Sequence, residues 1–254
     1  MARQERQRAV GWRDEVPIYI NFPISMFRKL DGDSLDVKDF KKLVDAIIKF
    51  GIASWYINEC GVNHSSRYYY EDVFTRVLER IGITVNMDIG QFFSFHIQSK
   101  IKQARKTGGE VFCGMNKSLL FHYLNEDVSD FECVQFLCYC AIRSILGSAW
   151  IDHQRPVIKR ITWEFILSRM AGNTKREPVE KLPKFIRHYS SKRHRSKLRK
   201  AITNKWPVQI DGRQRGRGGA FYMIGDSMPI AEAVAAYLER RSRSEAVKKA
   251  QKHG

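Results

Sequence analysis

The sequence predicts a mainly α-helical protein with small β-hairpins, an α+β fold whose two halves are related by internal duplication. Apolar residues recur at helical spacing over long stretches, and β-prone runs accompany glycine-containing turns near residue 109 and near residue 215. The block 17–58 also aligns with 111–152 without gaps. With 254 residues, of which 43% are hydrophobic and 12% aromatic, the chain is long enough for two ordinary domains that each bury a core.

The two aligned blocks share residues and the order of their elements. Each begins with an extended run, continues with a short apolar helix and an acidic cap, and ends in a long apolar helix. Eight of their 42 positions are identical: Phe27/Phe121, Leu30/Leu124, Asp33/Asp127, Asp36/Asp130, Leu43/Leu137, Ile48/Ile142, Ser54/Ser148 and Ile57/Ile151. An offset of 94 residues indicates a duplicated domain, because solenoid repeats have periods of roughly 20–50 residues.

The long helix of each block has a predicted start and one apolar face. Asp36 caps the first helix and Asp130 or Ser129 the second, because these residue types accept hydrogen bonds from the free amides of a first turn. The apolar faces consist of Phe40, Leu43, Val44, Ile47 and Ile48 in the first helix, and of Phe131, Val134, Leu137, Cys138, Ala141 and Ile142 in the second.

A shorter amphipathic helix that ends at a glycine, and then a longer basic helix, follow in each half. The shorter helices are predicted at 70–82 and 162–172, and the basic helices at 91–106 and 190–205. Residues 173–184 are predicted to form a polar loop. A last helix is predicted over 227–252, with Ser227 as its cap and Pro229 in its first turn.

The second basic helix and the residues after it form the most distinctive stretch of the chain. Ser190 or Ser191 caps the helix, and Pro207 ends it because proline cannot donate the intrahelical hydrogen bond. Two β-prone runs, 208–210 and 220–224, flank the segment DGRQRGRGG and predict a hairpin with an arginine-rich tip. A basic helix followed by such a hairpin is the order of a recognition helix and a wing.

Positive charge is concentrated in the last hundred residues. Residues 1–154 hold 19 Lys and Arg against 19 Asp and Glu, whereas residues 155–254 hold 25 against 8, which accounts for the whole formal charge of +17. A charge run is often only a solvated helix face, but Asp211 is the single acid between residues 187 and 217, and unrelieved like charges repel one another. We therefore predict that this region binds a polyanion.

The predicted nucleic-acid-binding residues are Arg187, Lys192, Arg193, Arg195, Lys197, Arg199, Lys200, Lys205, Arg213, Arg215 and Arg217. The cations expected to enter or flank a major groove are Arg193, Arg195, Lys197, Arg199 and Lys200. The arginines of the hairpin tip are expected to contact phosphates or an adjacent minor groove, and register is expected to be held through phosphate contacts of Arg187, Lys192 and Lys205. A secondary contact by the first half is permitted by Lys100, Lys102, Arg105 and Lys106.

Other functional classes lack a matching pattern. No apolar run approaches the roughly 20 residues that span a bilayer, the N-terminus lacks the apolar segment of a secretory signal, and Cys-x-x-Cys and nucleotide-binding motifs are absent. The tyrosines 68–70 lack the histidine pair that assists a tyrosine nucleophile on DNA, and Cys133, Cys138 and Cys140 are expected to be buried. We therefore expect no catalytic site, no metal and no cofactor, and a cytoplasmic location.

The aligned blocks and the run SSKRHRSKLRKAITNKW…RGRGGAFYM resemble tandem winged-helix DNA-binding proteins of mobile elements, similar to plasmid and phage replication initiators. The resemblance covers nearly the whole chain as a pattern, without matched family residues. It implies a flexible basic arm at 1–15, a first winged-helix-like domain at 16–109, a second one with the basic helix and the wing at 110–226, and a C-terminal helix or tail at 227–254.

These expectations point to a non-enzymatic protein of a bacterial plasmid, phage or mobile element that binds double-stranded DNA as a replication initiator or regulator. Two alternatives stay open. In the first, the protein is an RNA-binding or ribonucleoprotein-targeting phage protein, such as an anti-CRISPR inhibitor of a guide-RNA effector, in which Phe221 or Tyr222 stacks on exposed bases if these rings face outward. In the second, it is a protein–protein adaptor whose function is carried by the apolar helices of the first half and the C-terminal tail. A homodimer or a protein partner is expected to use the first domain or the C-terminal helix.

Overall fold

The computed structural model describes residues 19–29, 40–48, 51, 111–147, 157–212, 219–225 and 227–253. The described residues are mainly helical and contain two small antiparallel sheets, which confirms the α+β class. They belong to two compact units. The first unit contains 19–26, 40–48, 51 and 111–128, and the second contains 27–29, 129–147, 157–212, 219–225 and 227–253.

The first unit is built on a two-stranded antiparallel sheet. Its elements are strand β1 (Tyr19–Pro23), the first half of a 3₁₀ helix (Ile24–Lys29), helix α1 (40–48), strand β2 (Phe112–Asn116) and helix α2 (Lys117–Asn125). In the sheet, Ile20 lies opposite Met115 and Phe22 opposite Cys113, and all four side chains are buried. β2 and α2 thus belong to the first unit, although the boundary expected from the sequence lies at 109/110.

Helices α1 and α2 complete the core of this unit. The predicted apolar face of α1 is confirmed, because all five of its residues are buried. The rings of Phe40 and Tyr123 meet edge to face, with their centroids 5.6 Å apart. α2 begins after Asn116, whose side chain accepts a hydrogen bond from the backbone N–H of Ser118 at 2.9 Å.

The second unit contains a longer series of elements. They are helix α3 (Asp130–Leu146), strand β3 (Ile158–Ile161), helix α4 (Trp163–Met170), a 3₁₀ helix (Val179–Lys181), helix α5 (Lys184–Arg187), a 3₁₀ helix (His188–Ser190), helix α6 (Lys192–Lys205), strands β4 (Val208–Asp211) and β5 (Ala220–Ile224), and helix α7 (Ile230–His253).

Helix α3 is the central helix of this unit. Ser129 caps it as predicted: its hydroxyl accepts from the backbone N–H of Glu132 at 3.3 Å, and the Glu132 carboxylate accepts from the backbone N–H of Ser129 at 3.1 Å. Cys133, Cys138 and Cys140 are buried in it, as expected. Its predicted apolar face is buried apart from Phe131, which is half-buried.

The three-stranded sheet has the order β3-β5-β4, and both neighbours run antiparallel to β5. Alternate residues of a strand point to opposite faces. One face, with Phe221 and Met223 of β5, packs against α7 through Ala233 and Val234. Tyr222, on the other face, is also buried. Because α7 covers the face of Phe221 and Met223, β5 is buried on both faces.

Gln209 of β4 joins the sheet to the start of α7. Its side-chain amide donates to the carbonyl oxygens of Gly225 at 2.9 Å and Met228 at 3.0 Å, and its Oε1 accepts from the backbone N–H of Ile230 at 2.9 Å. One side chain thereby satisfies an amide in the first turn of α7 and two loop carbonyls.

Three sequence predictions need correction. Ser191 occupies the N-cap position of α6 but makes no side-chain capping bond to the helix backbone, and Ser190 belongs to the preceding 3₁₀ helix. α7 begins at Ile230 rather than near Ser227, and the carbonyl of Pro229 accepts its first backbone bonds. The predicted polar loop 173–184 includes a 3₁₀ helix and the buried Leu182.

Several predictions lie outside the described residues: the arm at 1–15, the cap at Asp36, and the helices at 70–82 and 91–106. Across the part of the chain that the structure describes, no helix combines the length and the apolar character needed to cross a membrane.

Candidate nucleic-acid interface

Helix α6 contacts the protein through a narrow apolar stripe. Leu198 and Ile202, one turn apart on the same face, are fully buried, and Ala201 is half-buried beside them. Trp206, directly after the helix, is buried as well and stacks on Tyr139 of α3, with ring centroids 4.4 Å apart. Because the apolar contact is limited to this stripe, most of the circumference of α6 remains for polar side chains.

The face of α6 opposite the stripe is exposed. Helical spacing of 100° per residue places four residues there, which we call the outer strip: Arg193, Ser196, Lys200 and Asn204. All four are exposed, as is Lys192 at the start of the helix. Within the described residues, no carboxylate pairs with a cation of the outer strip. The strip therefore presents uncompensated positive charge to solvent.

The cations at the sides of α6 lie against aromatic rings. The ammonium of Lys197 is 4.7 Å from the ring centre of Phe131, and the guanidinium of Arg199 is 5.9 Å from that of Tyr222. These distances are in the cation–π range. Burial raises the pKa of Tyr222, and the nearby charge of Arg199 opposes that shift. Arg195, one turn before Arg199, is half-buried too. Lys197 and Arg199 thus each rest against an aromatic ring of the protein.

Two of the predicted binding residues are engaged with the protein itself. Lys205 forms an ion pair with Glu132, with Nζ and Oε1 2.5 Å apart. The hydrogen bond from Lys205, together with that from the backbone of Ser129, lowers the pKa of Glu132 to about 2. Arg187 donates to the backbone carbonyl of Glu180 at 3.2 Å. Lys205 and Arg187 thus have protein partners that a phosphate would have to displace.

Strands β4 and β5 form the ribbon predicted after the basic helix, and its root is tightly fixed. Gly219, immediately before β5, has a φ of +88°, and a Cβ at this position would lie 2.1 Å from the carbonyl oxygen of Ile161. The Gly219 carbonyl accepts a hydrogen bond from Nε of Arg160 at 3.1 Å. The positive φ, the close contact with Ile161 and the hydrogen bond from Arg160 therefore fix the backbone at Gly219, where β5 begins.

Two groups of predicted binding residues lie outside the part of the chain that the structure describes. The first group is the ribbon tip, Arg213, Arg215 and Arg217. The second is the set proposed for a secondary contact, Lys100, Lys102, Arg105 and Lys106. Their roles stay predictions from the sequence.

Some residues of this surface could not be found from charge alone. Ser196 and Asn204 carry no charge, but their helical spacing from the buried Leu198 places them on the outer strip.

Strand β3 was not predicted from the sequence. It brings the exposed Lys159 and Arg160 beside the ribbon, opposite Tyr222 and Phe221 of β5. The signal for β3 is weak, because only the first and last of its four residues are buried.

The aromatic residues of the ribbon are not available to bases. Phe221 is 2% and Tyr222 1% exposed, so the expectation that they stack on a nucleic acid is wrong. Phe221 meets Tyr237 of α7 edge to face, with ring centroids 5.6 Å apart. Helix α7 thus takes the position that a stacked base would need.

Within the described ranges, no group of three or more His, Cys, Asp or Glu is arranged to hold a metal ion. Comparison of the chain with protein-family models, curated proteins and solved structures finds no match. The chemistry of this surface therefore has to be judged from its own geometry.

Proposed function

We propose that the second unit is a winged-helix-like domain that binds double-stranded DNA through α6 and the β4–β5 ribbon. The observation that carries the proposal is the outer strip of α6, a row of exposed polar and cationic side chains on a helix whose seven Lys and Arg are accompanied by no acid. An α-helix fits the major groove of B-DNA, which is about 12 Å wide. Phosphates on both sides of the groove would supply the missing counter-charge.

The order of the elements supports the winged-helix interpretation. Helix α3, strand β3, helices α4 and α6, and then the β4–β5 ribbon follow one another along the chain, and the first strand pairs with the last. The basic helix is the one directly before the ribbon, as in a recognition helix followed by a wing. The connection 171–191 is longer than the turn of a simple helix-turn-helix, and Ser168 fixes its first part by hydrogen bonds to Lys175 and Glu177.

We propose two roles for the predicted cations. The outer strip would reach base edges, where Arg and Lys bind guanine and Asn binds adenine. Lys197 and Arg199, held against aromatic rings at the sides of the helix, are placed to contact the phosphates that border the groove. Arg213, Arg215 and Arg217 of the ribbon tip are proposed to extend that contact along the backbone.

A tandem duplication is part of the proposal, and two observations in the described residues support it. The offset of 94 residues carries the buried face of α1 onto residues of α3 that are also buried: 134, 137, 138, 141 and 142. The same offset carries strand β1 onto residues 113–117, four of which belong to strand β2.

We further propose that the protein is a non-enzymatic initiator or regulator of a bacterial plasmid, phage or mobile element. A duplicated DNA-binding domain suits the recognition of two neighbouring DNA sites. The RNA-binding alternative is less well supported, because the rings that were expected to stack on exposed bases are buried. Footprinting on DNA from the protein's own genetic neighbourhood tests this assignment, and a protected direct or inverted repeat is the expected result.

The DNA-binding surface is tested by comparing two triple variants of the full chain. Arg193→Ala/Lys197→Ala/Lys200→Ala removes three cations from the exposed side of α6. Lys175→Ala/Lys181→Ala/Lys184→Ala removes the same charge from exposed positions of the same unit. The affinity for a 30-base-pair duplex is measured by fluorescence anisotropy as a function of salt, with structured RNA of equal length as competitor.

The two variants should differ in the salt dependence of binding. With roughly 0.9 counterions released per phosphate contact, loss of the proposed Lys197 contact should make the slope of log K against log salt shallower by about 0.9. Loss of the proposed base contacts of Arg193 and Lys200 should lower the affinity at every salt concentration. The control variant should keep the slope of the unaltered protein, and the duplex should compete better than the RNA. Equal slopes for both variants would refute the assignment of α6, and stronger competition by RNA would refute the choice of duplex DNA.

A further inference from the structure

Two histidines are stacked at the start of the basic helix. The ring of His188, in the 3₁₀ helix before α6, and that of His194, in the first turn of α6, have centroids 3.7 Å apart and an angle of 38° between their planes. Nδ1 of His194 is 2.8 Å from the hydroxyl oxygen of Ser191. The contact places two imidazole rings against each other at the first turn of α6, and His194 lies one turn before the buried Leu198.

The surroundings of this pair are mainly cationic. α6 contributes Arg193 and Lys197, whose charges act on His194, and α5, which packs against the same 3₁₀ helix, carries Lys184 and Arg187. Two acids lie on neighbouring elements. Burial and the charge of Asp130 on α3 raise the pKa of Tyr189, whose ring centroid is 5.3 Å from that of His188, and the carboxylate of Glu164 on α4 lies 3.9 Å from Arg176.

This arrangement disfavours protonation in the free protein. Desolvation lowers the pKa of His194, and the nearby His188, Arg193 and Lys197 lower it further. Two imidazolium rings at this separation repel each other, so the pair does not readily hold two protons. A polyanion on the outer strip, which begins at Arg193, brings negative charge to the first turn of α6 and favours the charged form of the neighbouring His194.

We propose that the His188–His194 pair takes up a proton when nucleic acid binds to α6, so that the affinity of the protein for nucleic acid rises as the pH falls. This inference rests on the proposed function, because it requires a polyanion on α6. Binding raises the pKa of His194, and the gain in affinity is therefore complete below the pKa of His194 in the free protein and absent above its pKa in the complex. The lower end of this range lies below the usual pKa of histidine, because desolvation, His188, Arg193 and Lys197 lower the pKa of His194 in the free protein.

The test measures duplex affinity by fluorescence anisotropy between pH 5.5 and pH 8.0 at constant ionic strength. Uptake of up to one proton predicts binding about threefold to tenfold tighter at pH 5.5 than at pH 7.5. His188→Gln and His194→Gln should reduce this ratio toward one. His122→Gln, which alters an exposed histidine on α2 in the first unit, is the control and should leave the ratio unchanged.

A histidine titration of the free protein by NMR gives a second readout that needs no nucleic acid. His188→Gln should raise the pKa of His194, because it removes one source of repulsion. An unchanged His194 titration, or the same pH ratio of affinities in all four proteins, would overturn the coupling while leaving DNA binding intact. Absence of binding at every pH would overturn the proposed function and the coupling together.

Discussion

Replacing Gly219 tests how the ribbon is fixed to the rest of its unit. The residue has a φ of +88°, and the added Cβ would lie 2.1 Å from the carbonyl oxygen and 2.5 Å from the carbonyl carbon of Ile161. Both are backbone atoms, so no change of rotamer relieves the clash. Ala220, which pairs with Ile161, and the hydrogen bond from Arg160 to the Gly219 carbonyl would have to shift.

The cost of Gly219→Ala has two parts. An L-residue at positive φ costs about 1–2 kcal/mol, and each displaced hydrogen bond costs about 0.5–1.5 kcal/mol. With the hydrogen bond from Arg160 displaced, we expect the free energy of unfolding to fall by about 1.5–3.5 kcal/mol. Gly225→Ala is a matched control, because Gly225 has a φ of +107° but no atom within 4 Å of the added Cβ. It should show the conformational cost without the clash.

Urea denaturation followed by circular dichroism, together with hydrogen exchange of the amides of β3 and β5, measures the difference between the two variants. Gly219→Ala should be the less stable protein, and its fastest-exchanging strand amides should be those near Ile161 and Ala220. Equal stability of the two variants, with unchanged exchange in β3, would refute the close backbone contact at the root of the ribbon.

Three further predictions concern other contacts of the second unit. Gln209→Leu should lower the free energy of unfolding by about 1–3 kcal/mol in urea denaturation, because it leaves the three hydrogen bonds at the start of α7 unmade. The free energy of unfolding should fall as the pH drops from about 4.5 toward 2, because the pKa of Glu132 is lowered in the folded protein. Glu132→Gln should remove that part of the pH dependence, which is measured by comparing the urea midpoints at pH 5 and pH 3. A thiol reagent should react only after denaturation with Cys133, Cys138 and Cys140. Burial raises the pKa of Cys133 to about 12 and raises that of Cys138 as well. Rapid reaction of these cysteines in the native protein would contradict their burial.

Local patterns predicted much of the fold in the second unit. Ser129 and the apolar residues after it define the start and the buried face of α3, and the alternation of charge with Leu198 and Ile202 defines α6. The strands β4 and β5 follow from two β-prone runs around a glycine-rich segment. These features depend on residues close in sequence, which a single chain displays directly.

Contacts between distant residues could not be predicted in the same way. Lys205 and Glu132 are separated by 73 positions, so nothing local shows that this cation is already paired. β5 is buried on both faces only because the distant helix α7 covers the face of Phe221, one of the two rings expected to stack on bases. The unbroken apolar run at 221–223 is typical of a strand buried on both faces, and it is the one local signal for this arrangement.

The central claim is that the outer strip of α6 enters the major groove of a DNA duplex. A cleavage reagent that generates hydroxyl radicals, attached to Lys200→Cys, tests it directly on footprinted DNA. Cys60, which lies outside the described residues, is replaced by Ser in this protein, because the other four cysteines are buried. Strand cuts should cluster across one major groove within the protected site, and a reagent on Lys175→Cys should give far weaker cuts. Equal cutting from both positions, or no cutting from position 200 while the DNA is bound, would contradict it.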